Sequence, residues 1–165
     1  MRFELLESVD HLDVGRQARG HTTISADTEY FRGHFPGYPV VPGVMLIEAM
    51  AQLGGRLVQV TVRTNTGRAV LPMLAKVDRA VFRRPVRPGE RLDLVANLKA
   101  VSDAAARING EAVVDGRRVA SVEIMYALID LTDDATAVAD VDARALREWS
   151  DRIYRSPTHV AASHE

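Results

Sequence analysis

Two periodicities divide the chain. From Val44 to about Thr61 the pattern is helical, and its first three turns are apolar nearly all round, as in a helix buried inside a domain. Further on, the period changes to two. Leu92, Leu94, Ala96, Leu98 and Ala100 alternate with Asp93, Val95, Asn97 and Lys99, the mark of a half-buried strand. Ile108, Gly110, Ala112 and Val114 continue the alternation, Asp115-Gly116 is a tight-hairpin signal, and Val122, Ile124, Tyr126 and Leu128 face one way on the last long strand. Before these, residues 69–82 read as two extended stretches around Pro72, with turn signals at Pro85 and Pro88-Gly89. Residues 3–31 read as one or two strands joined at Gly15 and ending in Thr22-Thr23-Ile24. The pattern predicts an α+β domain in which a mostly antiparallel sheet wraps one central buried helix.

After Asp130 the character changes. Residues 131–139 are short and polar and read as a linker. Val141, Leu146, Trp149 and Ile153 then form an amphipathic stripe, which predicts a C-terminal surface helix over residues 141–154 docked through Trp149. Residues 156–165 are expected to be disordered. The division is therefore one domain over residues 1–130 and an appended segment over 131–165.

A chain of 165 residues suffices for one domain with a real core. Its net charge of −1 argues against nucleic-acid binding driven by bulk phosphate attraction. There is no cysteine, which excludes disulfides and thiolate chemistry. No apolar run approaches the roughly 20 residues that span a bilayer, and Met1-Arg2-Phe3-Glu4 lacks a signal-peptide pattern. The expectation is a cytoplasmic protein that binds neither membrane nor nucleic acid.

The most informative stretch lies between the two patterns. Residues 33–43 hold three glycines and three prolines, so they form a rigid, shaped loop, and Pro42 suits a first helical position. His34 in this loop is a natural base near neutral pH, although a loop histidine taken alone is more often structural. Glu48 is flanked by Met45, Leu46, Ile47, Ala49, Met50 and Ala51, so an inward orientation would desolvate it, raise its pKa and let it donate a proton. The alternative is a buried glutamate paired with an arginine or with Gln52. Gln52, one turn further on the same face, can orient the carboxyl. Gly43 offers a backbone N–H at the positive end of the helix dipole, where a carbonyl oxygen gaining negative charge can bind. A base, an acid and an oxyanion donor suit removal of a proton next to a carbonyl together with loss of a hydroxyl.

The stretch from Phe31 to Gln52, with Gly33-His34-Phe35-Pro36-Gly37-Tyr38-Pro39 and Pro42-Gly43 at its centre, resembles the signature of the 3-hydroxyacyl-[acyl-carrier-protein] dehydratases of the FabZ type. Val77-Asp78-Arg79-Ala80-Val81-Phe82-Arg83-Arg84-Pro85-Val86-Arg87-Pro88-Gly89-Glu90 resembles that family's next conserved stretch, and residues 110–127 its closing hairpin. The resemblance covers roughly residues 3–130 and implies a hotdog fold. It implies that His34 takes the proton beside the thioester, that Glu48 helps the 3-hydroxyl leave as water, and that the Gly43 N–H holds the thioester carbonyl. Phe35, Gln52, Met73 and Phe82 are expected around the substrate with Gly43. It also implies that His34 and Glu48 of one site come from different subunits, as a dimer or a trimer of dimers, and that no metal or organic cofactor is needed. Arg79, Arg83, Arg84 and Arg87, with Arg91, form a local basic cluster suited to docking an acidic acyl carrier protein; the alternative is an ordinary solvated face.

The chain also departs from that pattern. It begins after the segment with a Leu-Pro-His-Arg run that usually opens the family. It has Pro72, Met73 and Leu74 where relatives often carry a tunnel-gating aromatic residue, and Lys76 where a small or neutral residue is usual. These differences bear on the acyl chain, and so on primary fatty-acid synthesis against a polyketide or polyene pathway, more than on the reaction. Three other readings are a non-catalytic or co-catalytic subunit of a heterodimeric hotdog dehydratase, a hotdog thioesterase and a simple acyl-binding module. Retention of His34 with Glu48 weighs against the first, the Gly-His-Phe-Pro loop against the second, and a carboxylate without a packing purpose against the third.

Overall fold

The structure is a computed structural model and describes residues 5–131, 148 and 160–161. Strands β1 (Ser8–Asp13) and β2 (Gln17–Thr23) are followed by a 3-10 turn (Glu29–Arg32) and one long helix, α1 (Gly43–Thr66). Then come β3 (Val70–Phe82), β4 (Arg91–Val101), β5 (Ala105–Val114), β6 (Arg117–Asp130) and a two-residue β7 (Val160–Ala161). The strands form one sheet in the order β3-β6-β5-β4-β2-β1-β7. All pairs among the first six strands are antiparallel, and β7 joins β1 in parallel. The expected architecture is thus present, with the sheet curled around α1.

The core lies between helix and sheet. Leu46, Ala49, Met50, Leu53, Leu57 and Val58 of α1 pack on the inward-facing alternate residues of the strands, among them Leu92, Leu94, Ile108, Val122 and Ile124. Two glycines set how close the layers come. A Cβ on Gly54 would stand 2.6 Å from the Tyr126 hydroxyl and 2.9 Å from Ile108, and one on Gly110 would stand 3.0 Å from Met50 Cβ. The buried Tyr126 hydroxyl donates to the Ala51 carbonyl at 2.7 Å, which satisfies the one polar atom this ring brings inside.

The helix differs from its sequence pattern in two ways. It runs on to Thr66, where Gly67 at φ +74° ends it by donating its N–H to the Arg63 carbonyl. Its polar last turn is exposed, and the helix is tied just before it, where buried Thr61 accepts the Gly15 N–H from the β1–β2 hairpin at 2.9 Å. The second difference is a correction: the first turns are not buried all round. Val44 is 68% exposed, and Met45, Ile47 and Glu48 are only half-buried, because the sheet covers one side of α1.

The stretch around Pro72 is one continuous strand and not two. Proline is tolerated because, among the described residues, β3 is an edge of the sheet with β6 as its sole neighbour, so the missing N–H faces away from that neighbour. The strand carries two bulges, and Arg79 takes a left-handed φ of 48° in the second. Met73, Leu74, Val77, Val81 and Phe82 are all exposed along it. The Asp115-Gly116 hairpin is as read, with φ of 49° and 72°.

Beyond β6, Leu131, read from sequence as part of the linker, is buried and donates its N–H to the Ala69 carbonyl at 2.8 Å; residues 132–139 lie outside the described residues. Of the expected helix over residues 141–154, Glu148 is helical, and the remainder, Trp149 included, lies outside the described residues. Val160 and Ala161 fall in the segment expected to be disordered but pair with Leu12 and Asp13, because β1 would otherwise offer an unpaired edge. Among the described residues no helix is long and apolar enough to cross a membrane.

The glycine contacts give a direct test. Gly54→Ala should destabilise the protein by about 1–3 kcal/mol in denaturant unfolding through overpacking, although alanine favours a helix by roughly 1 kcal/mol. Gly33→Ala, with open space where its Cβ would stand, should stay within about 0.5 kcal/mol of wild type. A stabilised Gly54→Ala would mean that the layers lie further apart.

Candidate active site

The His34 loop is a small hairpin built by its prolines and glycines. Pro36 and Gly37 occupy the centre of a type II turn, with Gly37 at φ +79° and the Tyr38 N–H donating to the Phe35 carbonyl at 2.9 Å. Below the turn, the Val40 N–H donates to the His34 carbonyl at 3.2 Å. In return, His34 Nδ1 lies 3.0 Å from the Val40 carbonyl. A carbonyl can only accept, so Nδ1 carries the hydrogen, and in the neutral ring the lone pair lies on Nε2. That is the tautomer a base requires. The imidazole is half-buried, and the Phe35 ring leans on it with centroids 4.3 Å apart across a cis peptide bond.

The loop leads directly into α1. Pro42 is the N-cap, one position before its expected place, and Gly43 is the first helical residue. The Gly43 N–H meets no acceptor among the described residues, as expected for a first-turn donor. Phe82 covers it so closely that a Cβ on Gly43 would lie 2.9 Å from the ring. Beside it opens a groove of about 500 Å³, lined by Val40, Val41, Gly43, Leu46, Phe82 and Val86 among others. An apolar groove with one free amide at a helix N-terminus suits an acyl or thioester group whose carbonyl oxygen needs one donor.

Glu48 lies one turn beyond Val44 on the flank of α1 that the sheet leaves uncovered. Its expected burial among apolar neighbours is not realised within one chain, because those neighbours point into the core while Glu48 shares its stripe with exposed Val44 and half-buried Gln52. Gln52 does reach the Glu48 carboxyl. Its Nε2 donates to Glu48 Oε1 at 2.9 Å, while its own Oε1 accepts the Leu5 N–H at 2.9 Å. The amide is thereby fixed from both ends, and Glu48 Oε2 is left for other use. No hydrogen bond joins His34 to Glu48: the histidine side chain bonds Val40, the glutamate Gln52.

The arginines expected to form one cluster are dispersed. Arg84 makes a bidentate bond to Glu90 at 2.9 and 3.1 Å, which commits its guanidinium and corrects its assignment as a free docking cation. Arg87 lies over the Tyr38 ring at 4.7 Å, and Arg91 pairs with Asp93. Arg79 reaches Glu123 at 3.7 Å, and Arg83 donates to Ser121 at 3.0 Å, both on the outer face of the sheet. Strand alternation and the turn after Phe82 send these side chains in different directions. Met73 is corrected likewise. It pairs with exposed Ala127 and shares its outward face, whereas Leu74 and Val77 lie opposite buried Tyr126 and Ile124 on the helix side.

Residues 1–123 match the family described as a FabA-like domain. Over 126 residues the chain is 36% identical to the 3-hydroxyacyl-[acyl-carrier-protein] dehydratase FabZ of Bacillus subtilis (strain 168), covering 76% of this chain and 87% of that one. Identity to the enzyme of the same name from Pelotomaculum thermopropionicum is 39% over 126 residues, covering 76% and 88%. The chain belongs to the FabZ dehydratase family. Its hotdog fold is shared with the dehydratase heterocomplex ApeI:P from Xenorhabdus doucetiae, at a TM-score of 0.63 and 21% identity over 77% of this chain and 85% of that one.

Three features of this FabZ-family site carried no sequence signal. The Val40 carbonyl that sets the His34 tautomer is a backbone group, and any residue there would supply it. The bond from the Val41 N–H to the Val86 carbonyl at 2.7 Å joins segments far apart in the chain. The Arg84–Glu90 clamp, completed by the Arg87 N–H on Glu90 at 2.6 Å, looked like part of a basic surface.

The clamp has a pH signature. The Arg84 bond holds the Glu90 carboxyl below its ordinary value of 4.5 and pushes the guanidinium up in turn. A carboxylate whose pKa is depressed by folding contributes stability above its unfolded pKa, and that contribution is lost as pH falls through the folded value. Glu90→Gln should therefore melt below wild type at neutral pH, and the gap should close as pH is lowered past 4.5 in thermal melts. A gap independent of pH would show that the ion pair contributes nothing.

Proposed function

We propose that the chain eliminates water from a carrier-bound 3-hydroxyacyl thioester, giving the 2-enoyl thioester, with His34 as base and Glu48 of the partner subunit as acid. The dehydratase reaction follows from family membership. The observation that carries the residue roles is the His34–Val40 bond, which occupies Nδ1, leaves Nε2 for a proton, and ties the imidazole to a residue that lines the apolar groove together with Gly43.

The steps balance simply. His34 Nε2 takes the proton from the carbon next to the thioester, and charge gathers on the thioester oxygen against the Gly43 N–H and the helix dipole. As the charge returns, the bond to the 3-hydroxyl breaks, and Glu48 Oε2 supplies the proton that makes the leaving group water. The proton gained by His34 then returns to Glu48 by way of solvent.

A shared site is supported by what one chain lacks. His34 and Glu48 do not meet within it, Val44 stands exposed beside Glu48, and β3 presents apolar side chains along an open edge. A second chain paired along β3 would cover this flank of α1 and bury the carboxyl. For the acidic carrier protein, Arg83 is exposed at the lining of the groove.

The test incubates the protein with 3-hydroxyacyl carrier proteins of several chain lengths and follows loss of one water by mass. His34→Ala and Glu48→Gln should each reduce turnover by about a hundred- to ten-thousandfold. Free acid as product would favour a thioesterase, and activity only on adding a second hotdog protein would favour a heterodimer. Mixing the two inactive variants should restore roughly a quarter of wild-type activity if sites are shared between randomly paired chains. No restoration would place both residues of a site in one chain.

A further inference from the structure

We propose that Tyr38 and Arg87 are positioning residues for His34, holding the arm of the loop whose Val40 carbonyl fixes the imidazole. The proposal rests on His34 being the base. The loop has two arms joined at the Pro36-Gly37 turn: one carries His34 and Phe35, the other Tyr38, Val40 and Val41. The second arm sets the first, through Tyr38 N–H to Phe35 carbonyl, Val40 N–H to His34 carbonyl, and His34 Nδ1–H to Val40 carbonyl. It must itself be held, because its side chains do not all reach the core and Tyr38 is exposed.

Two adjacent residues of the β3–β4 turn hold it. Val86 accepts the Val41 N–H at 2.7 Å, and the Arg87 guanidinium lies 4.7 Å from the centre of the Tyr38 ring. These contacts fall on either side of Val40. The turn is rigid enough to serve as a mount, since Glu90 binds both the Arg84 guanidinium and the Arg87 N–H, and Val86 is fully buried. A cation over an aromatic face is attracted by the ring quadrupole, so the contact needs the ring and not its hydroxyl. Arg87 therefore acts inward on the catalytic loop, where its sequence context suggested an outward role in docking.

Carrier docking and loop positioning separate on a substrate without a carrier. The experiment compares a 3-hydroxyacyl carrier protein with the corresponding N-acetylcysteamine thioester. Tyr38→Ala should lower kcat on both by about ten- to a hundredfold, the scale of a misplaced catalytic group, with Tyr38→Phe rescuing it. Arg87→Gln should lower kcat on both by roughly two- to fivefold, with Arg87→Lys restoring most of the loss. The double variant Tyr38→Ala/Arg87→Gln should be no slower than Tyr38→Ala. An Arg87→Gln effect confined to KM for the carrier substrate would overturn the proposal in favour of docking, and so would additive losses in the double variant. A second readout needs no turnover: ¹⁵N spectra of the imidazoles, with His34 assigned through His34→Gln. Wild type should show the Nδ1–H tautomer at His34, and Tyr38→Ala should admit the Nε2–H form. An unchanged spectrum would overturn the proposal whatever the activity. A changed spectrum in a protein that dehydrates neither substrate would overturn the dehydratase reading and leave the mount standing.

Discussion

Close contact between α1 and the sheet at Gly54 and Gly110 fixes where everything else can be. With no side chain at either position, Tyr126, Ile108 and Met50 come within van der Waals reach of backbone on the opposing layer. The Tyr126 hydroxyl then bonds the Ala51 carbonyl and ties the middle of the helix to β6. From this anchor the helix projects its first turn out to the Phe82 ring, which places the Gly43 N–H at the mouth of the groove. A helix displaced by the width of a methyl group would move both the Gly43 N–H and Glu48.

The same contact explains why the helix has two unlike sides. A sheet can curl around only part of a cylinder, and here it covers the face bearing Leu46, Ala49, Met50 and Leu53. The flank with Val44, Glu48 and Gln52 is left to whatever lies outside the chain. The residues of the proposed mechanism therefore reside on two supports of different character. Glu48 and Gly43 sit on the helix, whose position the core dictates, while His34 sits on a loop whose shape depends on the turn between β3 and β4. Joining the second support to the first falls to Val41 and Val86, with the Arg84–Glu90 clamp behind them.

Sequence revealed those parts that local chemistry determines. His34, Gly43, Glu48 and Gln52 were readable because a Gly/Pro loop, a helix start and an i,i+4 pair are local patterns, and the Asp115-Gly116 hairpin was readable for the same reason. What stayed hidden depends on distant partners. The tie of α1 just before its last turn relies on Thr61 meeting the Gly15 N–H, and Pro72 could lie within a strand only because that strand is an edge. The five arginines from 79 to 91 look alike in sequence, yet Glu123, Ser121, Glu90, Tyr38 and Asp93 give them five different occupations. The exposed flank of α1 misled for a related reason, since an apolar pattern cannot say whether its cover comes from the same chain.

The edge strand has one more consequence. A 13-residue strand with apolar side chains and open backbone is the kind of surface on which proteins aggregate by indefinite sheet growth. Pro72 withholds its N–H at one end of β3, and the bulges between Leu74 and Lys76 and between Asp78 and Val81 twist the edge out of plane. A flat, regular strand from a stray or half-folded chain cannot stay in register along such a line. A strand with matching bends can. The irregularities of β3 thus act as a filter on solubility, leaving an adhesive edge tolerable in a crowded solution until a chain of the right shape arrives.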